Sequence, residues 1–214
     1  MKKLDLTLYF VTDSTDRTEK DFLEILKQAC EGGVTLVQLR EKDKSGLEYL
    51  DLAEKVKQIT DQYKIPLIIN DRVDITMAVD AAGVHLGQMD IPVYAARKLL
   101  GEDKIIGATA KTVIQAKKAK EEGADYLGVG AIYPTTTKVI TVITEVSTLN
   151  EIAVQTNMPV AAIGGLNSSN IHVLYDSMAD GIAAVSAIMK SENPCDTVKS
   201  LKRQVLENFK KKKS

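Results

Sequence analysis

An asparagine and an aspartate stand together at the end of an apolar segment in the stretch PLIINDRVDI, residues 66–75. Asn70 and Asp71 are residue types that turns and helix N-termini favour, so an ordinary turn is one interpretation. The other interpretation is a site, because amide and carboxylate oxygens are groups that can bind a polar ligand or a metal ion. Residues elsewhere in the chain decide between the two.

Three cationic side chains follow other apolar segments in a similar way. Arg40 and Lys42 belong to the stretch LVQLREK, and Lys138 belongs to PTTTK. Gln38 and Arg40 are two residues apart, so in a strand their side chains point in the same direction. Arginine offers a planar fork to phosphate and lysine offers a point charge, so three such groups around one point indicate a polyanion.

Two carboxylates accompany these cations. Asp71 follows one apolar run, and Asp90 follows the next, in the stretch GVHLGQMD. Two carboxylates beside phosphate, without cysteine or a histidine pair, favour a hard cation such as Mg²⁺. The combination predicts a magnesium-pyrophosphate site with Asp71 and Asp90 as metal ligands. A network of salt bridges among the same charges is the competing interpretation.

All of these residues lie near the end of a short apolar run or shortly after one, and we interpret the runs as eight strands. The runs are Leu6–Val11, Thr35–Leu39, Pro66–Asn70, Gly83–Leu86, Ile105–Ala108, Tyr126–Val129, Pro159–Ile163 and Gly181–Val185. Segments with helical spacing lie between them, as at Phe22, Ile25 and Leu26, and also within 47–56, 113–122, 148–155 and 198–209. Apolar strands that alternate with helices indicate a parallel sheet covered on both faces. The pattern predicts an α/β fold, a (β/α)8 TIM barrel, as one domain over residues 1–214 with a basic tail from about 209.

A TIM barrel carries its chemistry at the C-terminal ends of the strands, where the polar residues noted above lie. Thr109 follows the fifth apolar run, and Thr135 and Thr137 follow the sixth. A second anion site is expected after strands seven and eight, at Gly164-Gly165 and Val185-Ser186. Barrels often bind a phosphate monoester there through backbone N–H groups.

Composition excludes several other classes of protein. The formal net charge of −1 over 214 residues argues against a nucleic-acid-binding module. No apolar run reaches the ~18–20 residues of a membrane span, and the N-terminal segment has the character of a strand rather than of a signal peptide. Two cysteines provide neither a disulfide framework nor metal-ligand spacing. We therefore expect a cytoplasmic protein with Cys30 in its core, His85 packed in the barrel and His172 on the surface.

Eight stretches together resemble one known family. They are YFVTD, GGVTLVQLREK, IINDRVDI, GVHLGQMD, IGATA, GADYLGVGAIYPTTTK, AIGGL and AVSAI, in this order from Tyr9 to Ile188. The set is similar to the thiamine-phosphate synthase family of (β/α)8 barrels. That family joins 4-amino-5-hydroxymethyl-2-methylpyrimidine diphosphate to 4-methyl-5-(2-phosphoethyl)thiazole with Mg²⁺, releasing pyrophosphate. The resemblance implies a transferase with two small-molecule substrates and with no nucleic-acid or membrane partner; whether the chain forms a homo-oligomer stays open.

The resemblance also implies a role for each matching residue. The pyrimidine diphosphate would be bound by Gln38, Arg40, Lys42, Asn70 and Lys138, and Mg²⁺ by Asp71 and Asp90. The thiazole phosphate would be bound by Thr135, Thr137, Gly165, Val185 and Ser186. Thr109 stands where the family commonly has serine and keeps the hydroxyl. Arg40, Lys42, Thr109 and Lys138 would also take part in catalysis, in which C–O cleavage is expected to run ahead of attack by the thiazole.

The chain departs from the family pattern in three places. Ala131 replaces a frequent proline, Met178 stands in SMADG, and the segment Val139–Thr144 lacks the usual acidic and small residues. Two alternative functions stay open at this point. One is a thiazole tautomerase-like barrel, against which the pyrimidine-diphosphate residues argue. The other is a non-catalytic protein that binds thiamine phosphates.

Overall fold

Eight parallel strands form a closed barrel in a computed structural model that describes residues 4–134 and 143–209. The strands are β1 Leu8–Val11, β2 Leu36–Leu39, β3 Leu67–Asn70, β4 Gly83–Leu86, β5 Ile105–Ala110, β6 Tyr126–Gly130, β7 Val160–Ile163 and β8 Gly181–Ala184. Each strand pairs with the next, and β8 pairs with β1. Every predicted apolar run is a strand whose ends differ from the predicted ones by two residues at most. The prediction of a single-domain (β/α)8 barrel is confirmed.

Helices surround the barrel. They are α1 Glu19–Gly32, α2 Gly46–Gln62, α3 Val73–Ala78, α4 Val93–Leu100, α5 Val113–Glu121, α6 Val146–Thr156, α7 Ser186–Met189 and α8 Pro194–Asn208, with a 3-10 helix at Ile171–Leu174. The helical spacing in the sequence predicted α1, α2, α5, α6 and α8. It missed α3, α4 and α7, which have 6, 8 and 4 residues. Such short helices do not repeat an apolar spacing often enough for it to be recognised.

Side chains alternate along each strand between two apolar cores. In β1, Leu8 and Phe10 pack in the layer between strands and helices, whereas Tyr9 belongs to the cluster inside the barrel. The same alternation turns Gln38 of β2 and Asn70 of β3 inward, and both side chains are buried. The inward positions at the C-terminal ends of these strands are therefore polar, whereas the outward positions are apolar.

Hydroxyl groups fix the ends of several loops at this side of the barrel. Thr18, Ser45 and Thr112 cap α1, α2 and α5 by accepting hydrogen bonds from backbone N–H groups of the first helical turn. The carboxylate of Glu48 in turn accepts from the backbone N–H of Ser45, which completes a capping box. The loops that follow β1, β2 and β5 are thus held at the point where each helix begins.

Among residues 4–134 and 143–209, no helix is both long and apolar enough to span a membrane. Cys30 is buried, as predicted from its helical context, and both Cys30 and Cys195 are free thiols. The cytoplasmic location and the oligomeric state stay predictions.

Candidate active site

A cavity opens at the C-terminal ends of the strands, where the barrel architecture predicts a site. Seven of the residues that the sequence analysis assigned to a substrate line it: Gln38, Arg40, Asn70, Thr109, Gly165, Val185 and Ser186. They come from the ends of five different strands and the loops that follow. Closure of the barrel brings these distant parts of the chain together around one space.

The end of β2 is anchored by two neighbouring elements. Thr12, just after β1, donates from its backbone N–H to the carbonyl of Gln38 at 2.9 Å, and its hydroxyl accepts from the N–H of Arg40 at 3.2 Å. From α2, the Tyr49 hydroxyl donates to the carbonyl of Leu39 at 2.8 Å. The backbone that carries Gln38 and Arg40 is therefore held in place where their side chains enter the cavity.

Asn70 has a buried side-chain donor for which the described part of the chain provides no acceptor. Its side chain is 7% exposed, and its Nδ2 makes no hydrogen bond to any described residue. The carbonyl oxygen of the same residue accepts from the N–H of Arg72 at 2.8 Å, which holds the backbone in position. A buried N–H group that lacks an acceptor costs about 1–3 kcal/mol. Because Asn70 lines the cavity, a bound anion or heteroaromatic ring could supply that acceptor.

The two predicted metal ligands lie beside the cavity and close to each other. Asp71 leaves β3 with φ of +63°, a left-handed conformation that aspartate tolerates better than most residues, and its N–H donates to the carbonyl of His85 at 2.9 Å. Asp90 accepts from the N–H of Gly87 at 2.7 Å through Oδ2. The two carboxyl groups lie within hydrogen-bonding reach of each other. Lys42 Nζ lies 2.5 Å from Asp71 Oδ2.

The electrostatics of this pair follow from that proximity. Burial alone would raise the pKa of Asp71, but Asp90 and the ammonium group of Lys42 hold it below its usual value. Burial, and then the neighbouring Asp71, raise the pKa of Asp90. Two carboxylates at this separation repel each other when both are charged, and a divalent cation between them would relieve that repulsion.

The donor set of the pair fits Mg²⁺. Within the described parts of the chain, no group of three or more acidic, histidine or cysteine side chains could hold a metal ion by itself. Mg²⁺ is usually bound by one or two carboxylates, with phosphate oxygens and waters as the remaining ligands. The competing salt-bridge network is present only in part, because no ion pair between described residues within 4.0 Å includes Arg40 or Asp90.

The wall opposite the carboxylates is made of backbone turns. Gly164 and Gly165 follow β7 with φ of +107° and +65°, and a Cβ on Gly165 would lie 2.7 Å from the Cβ of Tyr133. The side-chain amide of Asn170 donates to the carbonyl of Gly165 at 2.9 Å and holds the turn. Glycine is required here because the main chain is left-handed and tightly packed. The proposed use of this turn to bind a phosphate stays a prediction.

Three predicted site residues, Thr135, Thr137 and Lys138, lie outside the described residues, as do 139–142 of the unusual segment and the tail from 210. Of the other departures from the family pattern, Ala131 lines the cavity. Met178 is partly buried against the outer core and does not line it.

The cavity also contains residues that the sequence reasoning did not assign to a substrate. Tyr9, His85 and Lys111 are the polar ones. His85 is buried and hydrogen-bonded, as expected, whereas His172 is exposed, also as expected. The period-two spacing from Thr109 to Lys111 at the end of β5 could have revealed the lysine. Tyr9 gave no such signal because it stands inside an apolar run.

Comparison with known proteins is decisive for the family. The family model described as thiamine monophosphate synthase matches residues 8–188. This chain belongs to the thiamine monophosphate synthase family. It is 49% identical over 214 residues to the thiamine-phosphate synthase of Methanobrevibacter smithii, with 100% of both chains covered. It is 50% identical over 192 residues to that of Clostridium tetani, with 90% of this chain and 92% of the relative covered.

A solved structure agrees with the family assignment. The thiamine phosphate pyrophosphorylase from Pyrococcus furiosus superposes with a TM-score of 0.87 at 34% identity, covering 97% of this chain and 98% of that one. As a member of the thiamine monophosphate synthase family, the chain is a transferase of thiamine biosynthesis with thiamine-phosphate synthase activity. That prediction from the sequence is confirmed, and the tautomerase and non-catalytic alternatives are set aside.

Proposed function

We propose that the cavity and the carboxylate pair beside it are where the two substrates are joined. One is 4-amino-5-hydroxymethyl-2-methylpyrimidine diphosphate, and the other is 4-methyl-5-(2-phosphoethyl)thiazole. The observation that carries this assignment is the buried Nδ2 of Asn70, which makes no hydrogen bond to any described residue and lines the same cavity as Arg40. A hydrogen-bond donor and a guanidinium cation in one cavity suit diphosphate oxygens.

The diphosphate end of the pyrimidine substrate lies, in this proposal, between Arg40 and the Lys42–Asp71–Asp90 group. Arg40 binds it through its planar fork, while Lys42 is held at the rim by Asp71. When bound at Asp71 and Asp90, Mg²⁺ supplies positive charge that stabilises the diphosphate as a leaving group. Lys138 would add a further cation, as the sequence suggests.

The reaction exchanges one bond for another. The C–O bond between the pyrimidine methylene carbon and the diphosphate breaks, and its electron pair leaves with the diphosphate. The nitrogen lone pair of the thiazole then forms the new C–N bond to that carbon. Cations around the leaving group stabilise the charge that develops on it, so cleavage runs ahead of attack. Gly165, Val185 and Ser186 would hold the phosphate of the thiazole in the opposite wall.

The cavity walls between these two ends are apolar. Val11, Ala161, Ile163, Leu166 and Ala183 line them. A carbocation-like methylene would react with water if water had access to it, and the product would then be an alcohol. Apolar walls reduce the number of ordered waters near the reacting carbon, which favours transfer to the thiazole.

The direct test is to incubate the purified protein with both substrates and Mg²⁺ and to quantify thiamine phosphate and pyrophosphate. Both products should form in equal amounts, and neither should form when one substrate is omitted. Release of pyrophosphate without the thiazole, or binding of both substrates without any product, would contradict the proposal.

The order of bond changes has its own test. An electron-withdrawing substituent on the pyrimidine destabilises positive charge on the methylene carbon and should slow a dissociative step strongly. Single-turnover experiments with such an analogue separate chemistry from product release. A chemical step that is insensitive to the substituent would argue for direct displacement.

A further inference from the structure

A chain of hydrogen bonds inside the barrel, here called the hydrogen-bond chain, joins four residues that line the cavity and one, Tyr126, that does not. Gln38 Nε2 donates to the hydroxyl of Tyr9, which lies 2.7 Å from the hydroxyl of Tyr126. The Tyr126 hydroxyl lies 3.1 Å from His85 Nδ1, and His85 Nε2 lies 3.0 Å from the hydroxyl of Thr109. The chain therefore connects two residues of the predicted substrate site through three residues that the mechanism above does not use.

The barrel makes room for this chain with two glycines. A Cβ on Gly107 would collide with the ring and hydroxyl of Tyr126, and a Cβ on Gly128 would lie 3.1 Å from Cε1 of His85. Tyr9 and Tyr126 are 2% and 0% exposed, and hydroxyls buried to this degree are almost always hydrogen-bonded. Burial raises the pKa of both tyrosines well above the usual value, so each keeps a proton to donate.

The proton positions follow from counting donors. A neutral hydroxyl donates one hydrogen bond, so Tyr9, which accepts from Gln38, donates to Tyr126. Tyr126 in turn donates to His85 Nδ1, which must then carry no proton. In this direction of the hydrogen bonds, Nε2 is the nitrogen of His85 that carries the proton, and it donates to the oxygen of Thr109. The reverse direction would require a flipped Gln38 amide and a proton on His85 Nδ1.

The two ends of the hydrogen-bond chain therefore offer different groups to a ligand, a donor at Thr109 and an acceptor at Gln38. Thr109 accepts from His85, so its own hydroxyl proton can be donated into the cavity. Gln38 uses Nε2 for the chain, so its Oε1 is the amide atom that can accept. An aminopyrimidine has both an amino N–H donor and ring-nitrogen acceptors, and so it matches this arrangement.

We propose that Tyr126 is a positioning residue for substrate specificity: its hydroxyl sets the direction of the chain and so presents Thr109 as a donor and Gln38 Oε1 as an acceptor to the pyrimidine. This inference rests on the proposed function for the identity of the ring. Tyr126 does not line the cavity, so it acts through Tyr9 and His85. The arrangement disfavours a pyrimidine whose amino group is replaced by an oxo group, because an acceptor would then face an acceptor.

The tautomer of His85 can be observed directly. The protein has two histidines, so long-range ¹H–¹⁵N correlation spectra of the full-length protein contain two imidazole patterns. The pattern that remains in His172→Gln belongs to His85. Wild-type protein should show His85 protonated on Nε2. Tyr126→Phe keeps the ring but removes the donor to Nδ1, so a share of the Nδ1–H tautomer should appear. Tyr9→Phe leaves the Tyr126–His85 contact intact and should keep the wild-type tautomer.

The preference for the amino substrate over its oxo analogue tests the functional part of the proposal. For wild-type protein, Tyr126→Phe and Tyr9→Phe, kcat/KM is measured with the aminopyrimidine diphosphate and with its oxo analogue. Both phenylalanine variants should lower the preference for the amino substrate by about tenfold, the scale of one net hydrogen bond. Thr60→Val is the matched control, because it removes a fully buried hydroxyl that donates to the carbonyl of Lys57 on α2, away from the cavity. The control should keep the wild-type preference.

Each outcome decides the proposal. If His85 of the wild-type protein carries its proton on Nδ1, the hydrogen bonds run in the opposite direction and the proposal is wrong. A Tyr126→Phe protein that melts earlier but keeps both the tautomer and the substrate preference shows a purely structural role and overturns the proposal as well. If Tyr126→Phe does not fold, Tyr9→Phe and the wild-type spectrum still test it. A wild-type protein with no synthase activity would instead contradict the proposed function, and the spectra would report on the chain independently.

Discussion

The two ends of the barrel differ in how fully their buried polar groups are hydrogen-bonded. At the N-terminal end, Arg97 of α4 donates to the carbonyls of Gly101, Lys104 and Gly123 at 2.8, 2.7 and 2.8 Å. It also donates to the carboxylate of Asp125 at 2.7 Å. The guanidinium group thus binds four acceptors and ties together the segments that lead into β5 and β6.

At the C-terminal end, two buried polar atoms lack such partners among the described residues. Asn70 Nδ2 and Glu41 Oε1 make no hydrogen bond to any described residue, and the carboxyl groups of Asp71 and Asp90 are crowded together. Groups that are satisfied within the protein contribute to stability, whereas unsatisfied buried groups cost stability unless a ligand binds them. One end of the barrel thus holds the fold together, and the other end is arranged for ligands.

The largest effect is expected from Asp90→Asn at the C-terminal end. The change keeps the shape and removes one charge, so we expect turnover to fall by ~10²–10³, the scale of one preorganised electrostatic group. Raised Mg²⁺ should restore part of the loss. Initial rates at increasing Mg²⁺ concentration, together with melting curves, measure both effects. Asp51→Asn, at an exposed position of α2, is the control and should behave like wild type. An unshifted Mg²⁺ requirement with lower thermal stability would instead support the salt-bridge interpretation and remove Asp90 from the metal site.

The second prediction concerns the N-terminal end. Arg97→Ala leaves three carbonyls and Asp125 without their donor and should lower the free energy of unfolding by about 2–3 kcal/mol. The KM for either substrate should not change, because this residue lies at the far end from the cavity. Urea denaturation and steady-state kinetics measure the two quantities. If Arg97→Ala changed KM but left the free energy of unfolding unchanged, the assignment of stability to the N-terminal end and of binding to the C-terminal end would be wrong.

The third prediction concerns Asn70 Nδ2, the buried donor that makes no hydrogen bond to any described residue. Asn70→Ala should weaken binding of the pyrimidine diphosphate by about 1.5–2 kcal/mol, as for a hydrogen bond to a charged group. The free energy of unfolding should fall by less than about 1 kcal/mol, because no internal hydrogen bond of Nδ2 is lost. Asn150→Ala is the matched control, since Asn150 Oδ1 accepts from the N–H of Met178 at 2.7 Å. Calorimetric titration and denaturation should show the opposite pattern for that variant.

The smallest expected effect tests whether the two substrates bind to different walls of the cavity. Ser186→Ala removes one hydroxyl and should weaken binding of the thiazole phosphate by about 0.5–1.5 kcal/mol, the range for one net hydrogen bond. Binding of the pyrimidine diphosphate should stay nearly unchanged. Calorimetric titration with each substrate measures this, and equal losses for both would mean that the two-site assignment is wrong.

Much of the barrel could be predicted from the sequence because its strands are buried on both faces. Leu67–Ile69 is apolar at every position, so Asn70 stands out as the point where the run ends. Gln38 was visible in the same way, as a polar residue at an inward position of an apolar strand. The short helix α3 was not visible, because six residues are too few to show a helical period.

The fold class, the order of the strands and the polar residues at their ends could be predicted from the sequence, because periodicity and residue type are local properties. The tertiary structure decided which of those residues meet. Asp71 contacts Lys42 rather than Arg40, and Tyr9 bonds Tyr126 across 117 residues of sequence. A hydrogen bond requires its atoms to lie within about 3 Å of each other. That separation depends on how the strands are registered when the barrel closes, which no local pattern contains.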